Sequence, residues 1–178
     1  MTLSIEFFIH MDAVGRDWPG AANERPLTEL GGRQAQRIAD ELEQEPVHAL
    51  YASSNVRCRQ SLEPLAKKFG LKIVDAPNFA DVLDLRGQGP NPMASAYLAG
   101  SASSELEKIR SATSEGRVVI CSNGGDIVSS LMAFLAGSSG APMPEKRQEA
   151  VRGAVYKAVF DGDRVTVSQR EASPDFPS

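Results

Sequence analysis

Histidine and cysteine are scarce in this chain, whose 178 residues contain two of each. The histidines, His10 and His48, and the cysteines, Cys58 and Cys121, lie far apart and form no CxxC or HExxH spacing. Neither a structural zinc site nor a disulfide framework is therefore expected. Basic residues are also in deficit. The 19 Lys and Arg are outnumbered by 23 Asp and Glu, for a formal net charge of -4. That balance argues against a nucleic-acid or anionic-membrane partner, because a phosphate backbone demands a broad basic face. Any anion site must be local. No apolar run approaches the roughly 20 residues that a membrane span needs. The N-terminal MTLSIEFFIH lacks a basic leader and is broken by Glu6, so it reads as a strand and not a signal peptide. The expected location is the cytoplasm, with both cysteines reduced. Two phosphate-binding signatures are missing as well: there is no GxxxxGK(S/T), and Ile127 stands where the Cys-x5-Arg loop of cysteine phosphatases would need arginine.

What is present has the composition of an ordinary globular domain, 42% hydrophobic and 24% charged. One domain over residues 1–170 is expected, with 171–178 (EASPDFPS) a flexible tail. Apolar runs alternate with helical patterns in a βαβα rhythm, which predicts a largely parallel sheet covered by helices. A strand over 3–9 ends at His10 and opens into a loop with Gly15, Pro19, Gly20 and Pro26. Thr28 has the chemistry of an N-cap for a helix whose buried face carries Ala35, Ile38, Ala39 and Leu42. A strand over 47–52 leads through Ser53-Ser54-Asn55 into a second helix stopped by Gly70, and a third strand covers 71–74. Residues 84–104, rich in Gly, Pro, Ala and Ser, read as a mobile excursion, with a helix resuming at 105–112.

The run RVVIC (117–121) is the best central strand. It enters Ser122-Asn123-Gly124-Gly125 and a helix over 127–135, a turn whose N–H groups and helix dipole can hold an anion. A hairpin around Asp161-Gly162-Asp163 closes the pattern.

The order Ile9-His10-Met11, RPLTELGGRQA (25–35), ASSNVRCRQSLEPLA (52–66), VVICSNGGDI (118–127) and GAVYKAVFDGDRV (153–165) resembles the histidine phosphatase superfamily, the phosphoglycerate-mutase-like enzymes, along nearly the whole chain. The spacing of His10, Ala13 and Arg16 looks most like the bacterial phosphohistidine-phosphatase branch. The resemblance implies a three-layer α/β/α sandwich around a mixed, mainly parallel sheet, with the site at the carboxyl ends of the strands. It implies no metal and no organic cofactor. His10 falls on the family nucleophile, whose neutral imidazole attacks phosphorus to give a phosphohistidine that water then hydrolyses. Arg57 falls on a phosphate-holding arginine, whose planar fork suits phosphoryl oxygens. Asp81 stands where the family has a leaving-group acid one methylene longer, and Arg16 is a candidate for a further guanidinium. Arg86 reads as solvated and His48 as structural.

Two positions depart from the family pattern. The arginine before the nucleophile is Ile9, and the second histidine, after VVICS, is Asn123. Asn123 still offers N–H donors to phosphate but carries no charge. The first expectation is therefore a member with impaired catalysis that binds phosphate, a phosphorylated small molecule or a phosphoprotein. The alternatives are an active phosphomonoesterase or phosphohistidine phosphatase working through His10, and an interaction module with no ligand.

Overall fold

The computed structural model describes residues 2–80, 91–140 and 151–177. In chain order the elements are β1 (Thr2–Ile9), α1 (Glu29–Leu42), β2 (Ala49–Ala52), α2 (Val56–Phe69), β3 (Ile73–Asp75), α3 (Pro92–Ala112), β4 (Gly116–Ser122), α4 (Gly125–Ser138), β5 (Val155–Asp161) and β6 (Arg164–Arg170). Short 3-10 turns occupy Ala22–Glu24 and Pro77–Phe79. The sheet is six-stranded in the order β3-β2-β4-β1-β5-β6. β1, β2, β3 and β4 run parallel, while β5 and β6 are antiparallel additions at one side. The expected mixed, mainly parallel three-layer sandwich is thus the observed fold.

Strand alternation explains the layers, since successive side chains point to opposite faces. Leu3, Ile5 and Phe7 of β1 join Val118 and Ile120 of β4 in a core closed by α3 and α4 through Leu98, Leu106, Ile127 and Leu131. Phe8 joins Val119 and Cys121 on the other face, covered by α1 and α2 through Ile38, Leu42, Leu62 and Leu65. Cys58 and Cys121, both free thiols, are buried in this second core. Among the described residues no helix is long and apolar enough to cross a membrane.

The structure corrects the reading of residues 84–104 over its described part. Residues 92–104 are the first turns of α3, capped by Asn91, whose side chain accepts from the Ala94 N–H at 3.1 Å. Ala94, Leu98, Ala102, Leu106 and Ile109 lie on its buried face. Alanine and serine mask this periodicity in the sequence, whereas Asn91-Pro92 is a recognisable cap followed by a proline at the first helical position. Residues 81–90 lie outside the described set. The segment expected as a flexible tail also makes defined contacts. Gln34 Nε2 donates to the Pro177 carbonyl at 2.7 Å, Arg37 pairs with Asp175 at 2.7 Å, and Phe176 packs against the α1/α2 core.

His48 has a structural place, at the opposite end of the sheet from His10. Its Nδ1 accepts the Arg117 N–H at 3.1 Å, and its own N–H donates to the Arg117 carbonyl at 2.8 Å.

Beside it lies a buried ion pair. Arg117 donates through Nη2 and Nε to Glu6 Oε2 at 2.6 and 3.1 Å, and through Nη1 to the carbonyls of Leu42 and Glu45 at 2.6 and 2.8 Å. Lys157 on β5 approaches the other Glu6 oxygen at 3.4 Å. Glu6 and Arg117 are 5% and 7% exposed, so removing the carboxylate strands a desolvated guanidinium. Glu6→Ala is expected to destabilise the fold by about 3–5 kcal/mol. Urea unfolding at neutral pH checks this, and a loss no larger than that of a surface substitution would contradict it.

Candidate functional site

The site forms where β1, β2 and β4 end together. β1 pairs with β4 in parallel register from Leu3↔Gly116 to Ile9↔Ser122, and β2 pairs with β4 up to Ala52↔Cys121. The ladders continue one step further: the His10 N–H donates to the Ser122 carbonyl at 3.1 Å and the Ser53 N–H to the Cys121 carbonyl at 3.0 Å. His10 and Asn123 therefore leave neighbouring strand ends at the same level. The Asn123 N–H donates to the Phe79 carbonyl at 2.9 Å, and its residue is 8% exposed. α4 starts immediately beyond, with Gly124 at the N-cap and no side chain capping it.

His10 Nδ1 lies 2.7 Å from the Met11 carbonyl. A carbonyl oxygen can only accept, so Nδ1 carries the proton and Nε2 holds the lone pair. Burial is the largest cause lowering the His10 pKa from 6.5 to about 4, with the positive charges of Arg57, Arg152 and Arg25 adding to it and the bond to Met11 opposing it. At neutral pH the ring is uncharged, with a defined tautomer.

The loop carrying His10 is tied to α2 and α1. The Met11 N–H donates to Ser61 Oγ at 3.0 Å, and that hydroxyl donates to the Arg57 carbonyl at 2.7 Å. Gln60 Oε1 accepts the Leu27 N–H at 2.8 Å, fixing the Arg25-Pro26-Leu27-Thr28 segment to the same helix. The Asp12 N–H donates to Gln34 Oε1 at 2.8 Å, and the Thr28 hydroxyl donates to Asp12 Oδ2 at 2.7 Å while its oxygen caps α1 at the Gly31 N–H. Gly31 is needed for this approach: a Cβ there would stand 1.9 Å from the Asp12 carbonyl oxygen.

Arg57, in the first turn of α2, is buried, and its Nη1 donates to the Ala22 carbonyl at 2.8 Å. Arg25 donates from Nη1 to the Val14 carbonyl at 3.3 Å. Arg152 pairs with Asp12 at 3.4 Å. The structure thus brings His10, Arg57 and Asn123 to one end of the sheet. Arg16 is exposed on the intervening loop, and the charges acting on His10 come from Arg57, Arg152 and Arg25. Asp81 and Arg86 lie outside the described residues.

Arg25 and Arg152 join the charges at His10 although no sequence signal marks them as site residues. Arg25 lies inside RPLT, a segment whose charge does not by itself point to the site. Arg152 carries no local signal, because only the antiparallel return of β5 beside β1 brings it near. The arrangement offers a neutral imidazole nucleophile, guanidinium groups and backbone donors in a chain of negative net charge, a combination suited to a phosphoryl group.

The family model described as histidine phosphatase superfamily (branch 1) matches residues 15–99, a span that includes the RPLT segment and Arg57 but neither His10 nor Asn123. No curated protein matches the sequence. Among solved structures, Bacillus stearothermophilus YhfR is similar with a TM-score of 0.70 and 17% identity, covering 96% of this chain and 98% of that one. A mycobacterial glucosyl-3-phosphoglycerate phosphatase in complex with inorganic phosphate gives 0.64 and 13%, covering 99% of each chain. The protein histidine phosphatase SixA complexed with tungstate gives 0.57 and 18%, covering 93% of this chain and 95% of that one. These identities speak for the fold, and the family match adds the characteristic sequence of the first half. The chain is thus similar to the histidine phosphatase superfamily in the sequence of residues 15–99 and to its phosphoglycerate-mutase-like and SixA structures in fold.

Proposed function

We propose that this protein binds phosphate or a phosphorylated ligand over His10, and that phosphoryl transfer to His10 is slow because positions 9 and 123 lack the groups that would hold the transition state. The observation that carries the reading is the neutral His10, its Nδ1–H engaged by Met11 and its Nε2 lone pair available. In the chemical step Nε2 attacks phosphorus, the ester oxygen leaves with its electron pair and takes a proton, and water later cleaves the N–P bond. Arg57 and the side-chain amide of Asn123 hold phosphoryl oxygens. Ile9 supplies no charge, and Asn123 cannot become a cation. Each missing charge-assisted hydrogen bond removes roughly 1.5–3 kcal/mol, about tenfold to a hundredfold in rate.

A second reading, full phosphatase activity, is favoured by one observation: Arg25 and Arg152 bring positive charge to His10 that the family pattern does not assign. Turnover of an aryl phosphate and of a phosphohistidine peptide separates the two. Under the first reading the double variant Ile9→Arg/Asn123→His gains at least tenfold in turnover, and His10→Ala removes the gain. A wild type already equal to the double variant and dependent on His10 would establish the second reading. No perturbation of the His10 ring signals at millimolar phosphate would sink both and leave an interaction module.

The histidine also sets a pH dependence. Its folded pKa of about 4 lies below the unfolded value of 6.5, so the unfolded chain binds the extra proton more readily between these limits. The His10 contribution to stability is fully present above pH 6.5 and is lost as pH falls towards 4. His10→Asn is expected to flatten this part of the profile, measured as the urea midpoint at pH 7 and pH 4.5. An unchanged slope would place the ring in water instead.

A further inference from the structure

Arg152 lies in the turn that leads into β5, and its guanidinium reaches Asp12, two residues beyond His10, with Nη1 3.4 Å from Oδ1. Its side chain is 44% exposed, whereas Arg57 is buried. The strand order places the two on opposite flanks. α2 follows β2, which lies beyond β4, whereas β5 borders β1 on its other side, with Phe7 opposite Tyr156. The backbone behind Arg152 is locked. Gly153 has φ +85°, and a Cβ there would stand 2.8 Å from the Phe176 ring and 2.9 Å from Ala172. Asp12 is held from its far side by the Thr28 hydroxyl on Oδ2 and by Gln34 on its backbone N–H. One carboxylate oxygen is therefore anchored, while the other keeps Arg152 by a long, solvent-open contact of a kind that contributes little.

Resting on the reading of this cleft as a phosphate site, we propose that Arg152 is a phosphate-binding residue and that Asp12 is its built-in competitor, which a phosphoryl group displaces. The guanidinium fork matches two phosphoryl oxygens, and a dianionic phosphate is a stronger partner than one carboxylate oxygen at 3.4 Å. Asp12, two residues past His10, holds Arg152 at the His10 end of the sheet, and Arg152 follows only Arg57 among the charges that lower the His10 pKa. It delivers from the β5 side a positive charge that Ile9 does not supply from within β1. Asp12 then acts as a threshold: it keeps Arg152 poised while the cleft is empty and weakens the hold on any monoanion that cannot outcompete it.

The test is titration with inorganic phosphate, followed by calorimetry and by the His10 ring signals, on the full chain and on Arg152→Ala, Arg152→Lys, Asp12→Asn, Asp12→Asn/Arg152→Ala and Arg57→Ala. Arg152→Ala should weaken binding roughly tenfold or more, with Lys restoring part of it. It should also raise the titration midpoint of His10, which a purely structural role would leave in place. Asp12→Asn, which keeps an acceptor for Thr28, should tighten phosphate severalfold when Arg152 is present and not in its absence. Arg152→Ala binding phosphate like the wild type, while Arg57→Ala loses it, would overturn this proposal alone. Equal tightening by Asp12→Asn in both backgrounds would do the same. A wild type that binds no phosphate would overturn the proposal together with the reading beneath it.

Discussion

The site depends on the register of β1 against β4, and one buried interaction secures that register. Glu6 and Arg117 project from these strands towards the α1/α2 face, where apolar side chains would otherwise be the rule. Because side chains alternate, a slip of one residue would send Glu6 to the other core and leave Arg117 without its carboxylate. The same guanidinium closes the last carbonyl of α1, at Leu42, and that of Glu45 in the turn beyond it, and Lys157 of β5 shares the carboxylate. Four elements are thereby indexed to one another at the end of the sheet opposite His10. The consequence appears three pairs beyond Glu6 and five beyond Arg117, where Ile9 meets Ser122 and the next residues of both strands are His10 and Asn123.

Register alone does not orient a side chain, and α2 supplies the rest. Arg57, Gln60 and Ser61 lie within two turns of one helix and act on three separate parts of the cleft. Arg57 holds the Ala22 carbonyl, Gln60 holds the backbone at Leu27, and Ser61 holds the backbone at Met11. The loop between β1 and α1 is thus fastened to a rigid element at several points, and His10 inherits its orientation from that fastening through Met11. Gly31 lets α1 come close enough to complete the clamp on Asp12.

This division explains what was legible in the sequence. The layers were, because Leu3, Ile5 and Phe7, and separately Ile38 and Leu42, repeat at the spacing of a strand and a helix. His10, Arg57 and Asn123 were, because each sits at a strand end or helix start that local chemistry marks. The start of α3 was not, because its buried face is built largely from alanine, whose small side chain gives little hydrophobic contrast with its neighbours. Arg152 was not, since its place follows from an antiparallel return rather than from any local pattern. The contacts of 172–177 with α1 were hidden for a related reason: Gln34 and Arg37 read as the solvated face of a helix until Pro177 and Asp175 come back across it.

The distribution of charge bears on whether binding and catalysis go together. An arginine at position 9 would project from the strand that carries the nucleophile, and an imidazolium at position 123 would sit at the adjoining strand end. Groups so placed can follow the phosphoryl oxygens as charge and geometry change along the reaction. Arg25 and Arg152 instead reach the cleft from loops, one held by the Val14 carbonyl and the other by Asp12. Charges that stabilise the bound ligand and the transition state alike increase affinity without lowering the barrier between them. On the reading proposed above, positive charge moved from strand positions to loop positions preserves recognition of a phosphoryl group more readily than its rapid transfer. His10, neutral and oriented, is compatible with both. The difference between a binding protein and an efficient enzyme then lies in the groups that surround it.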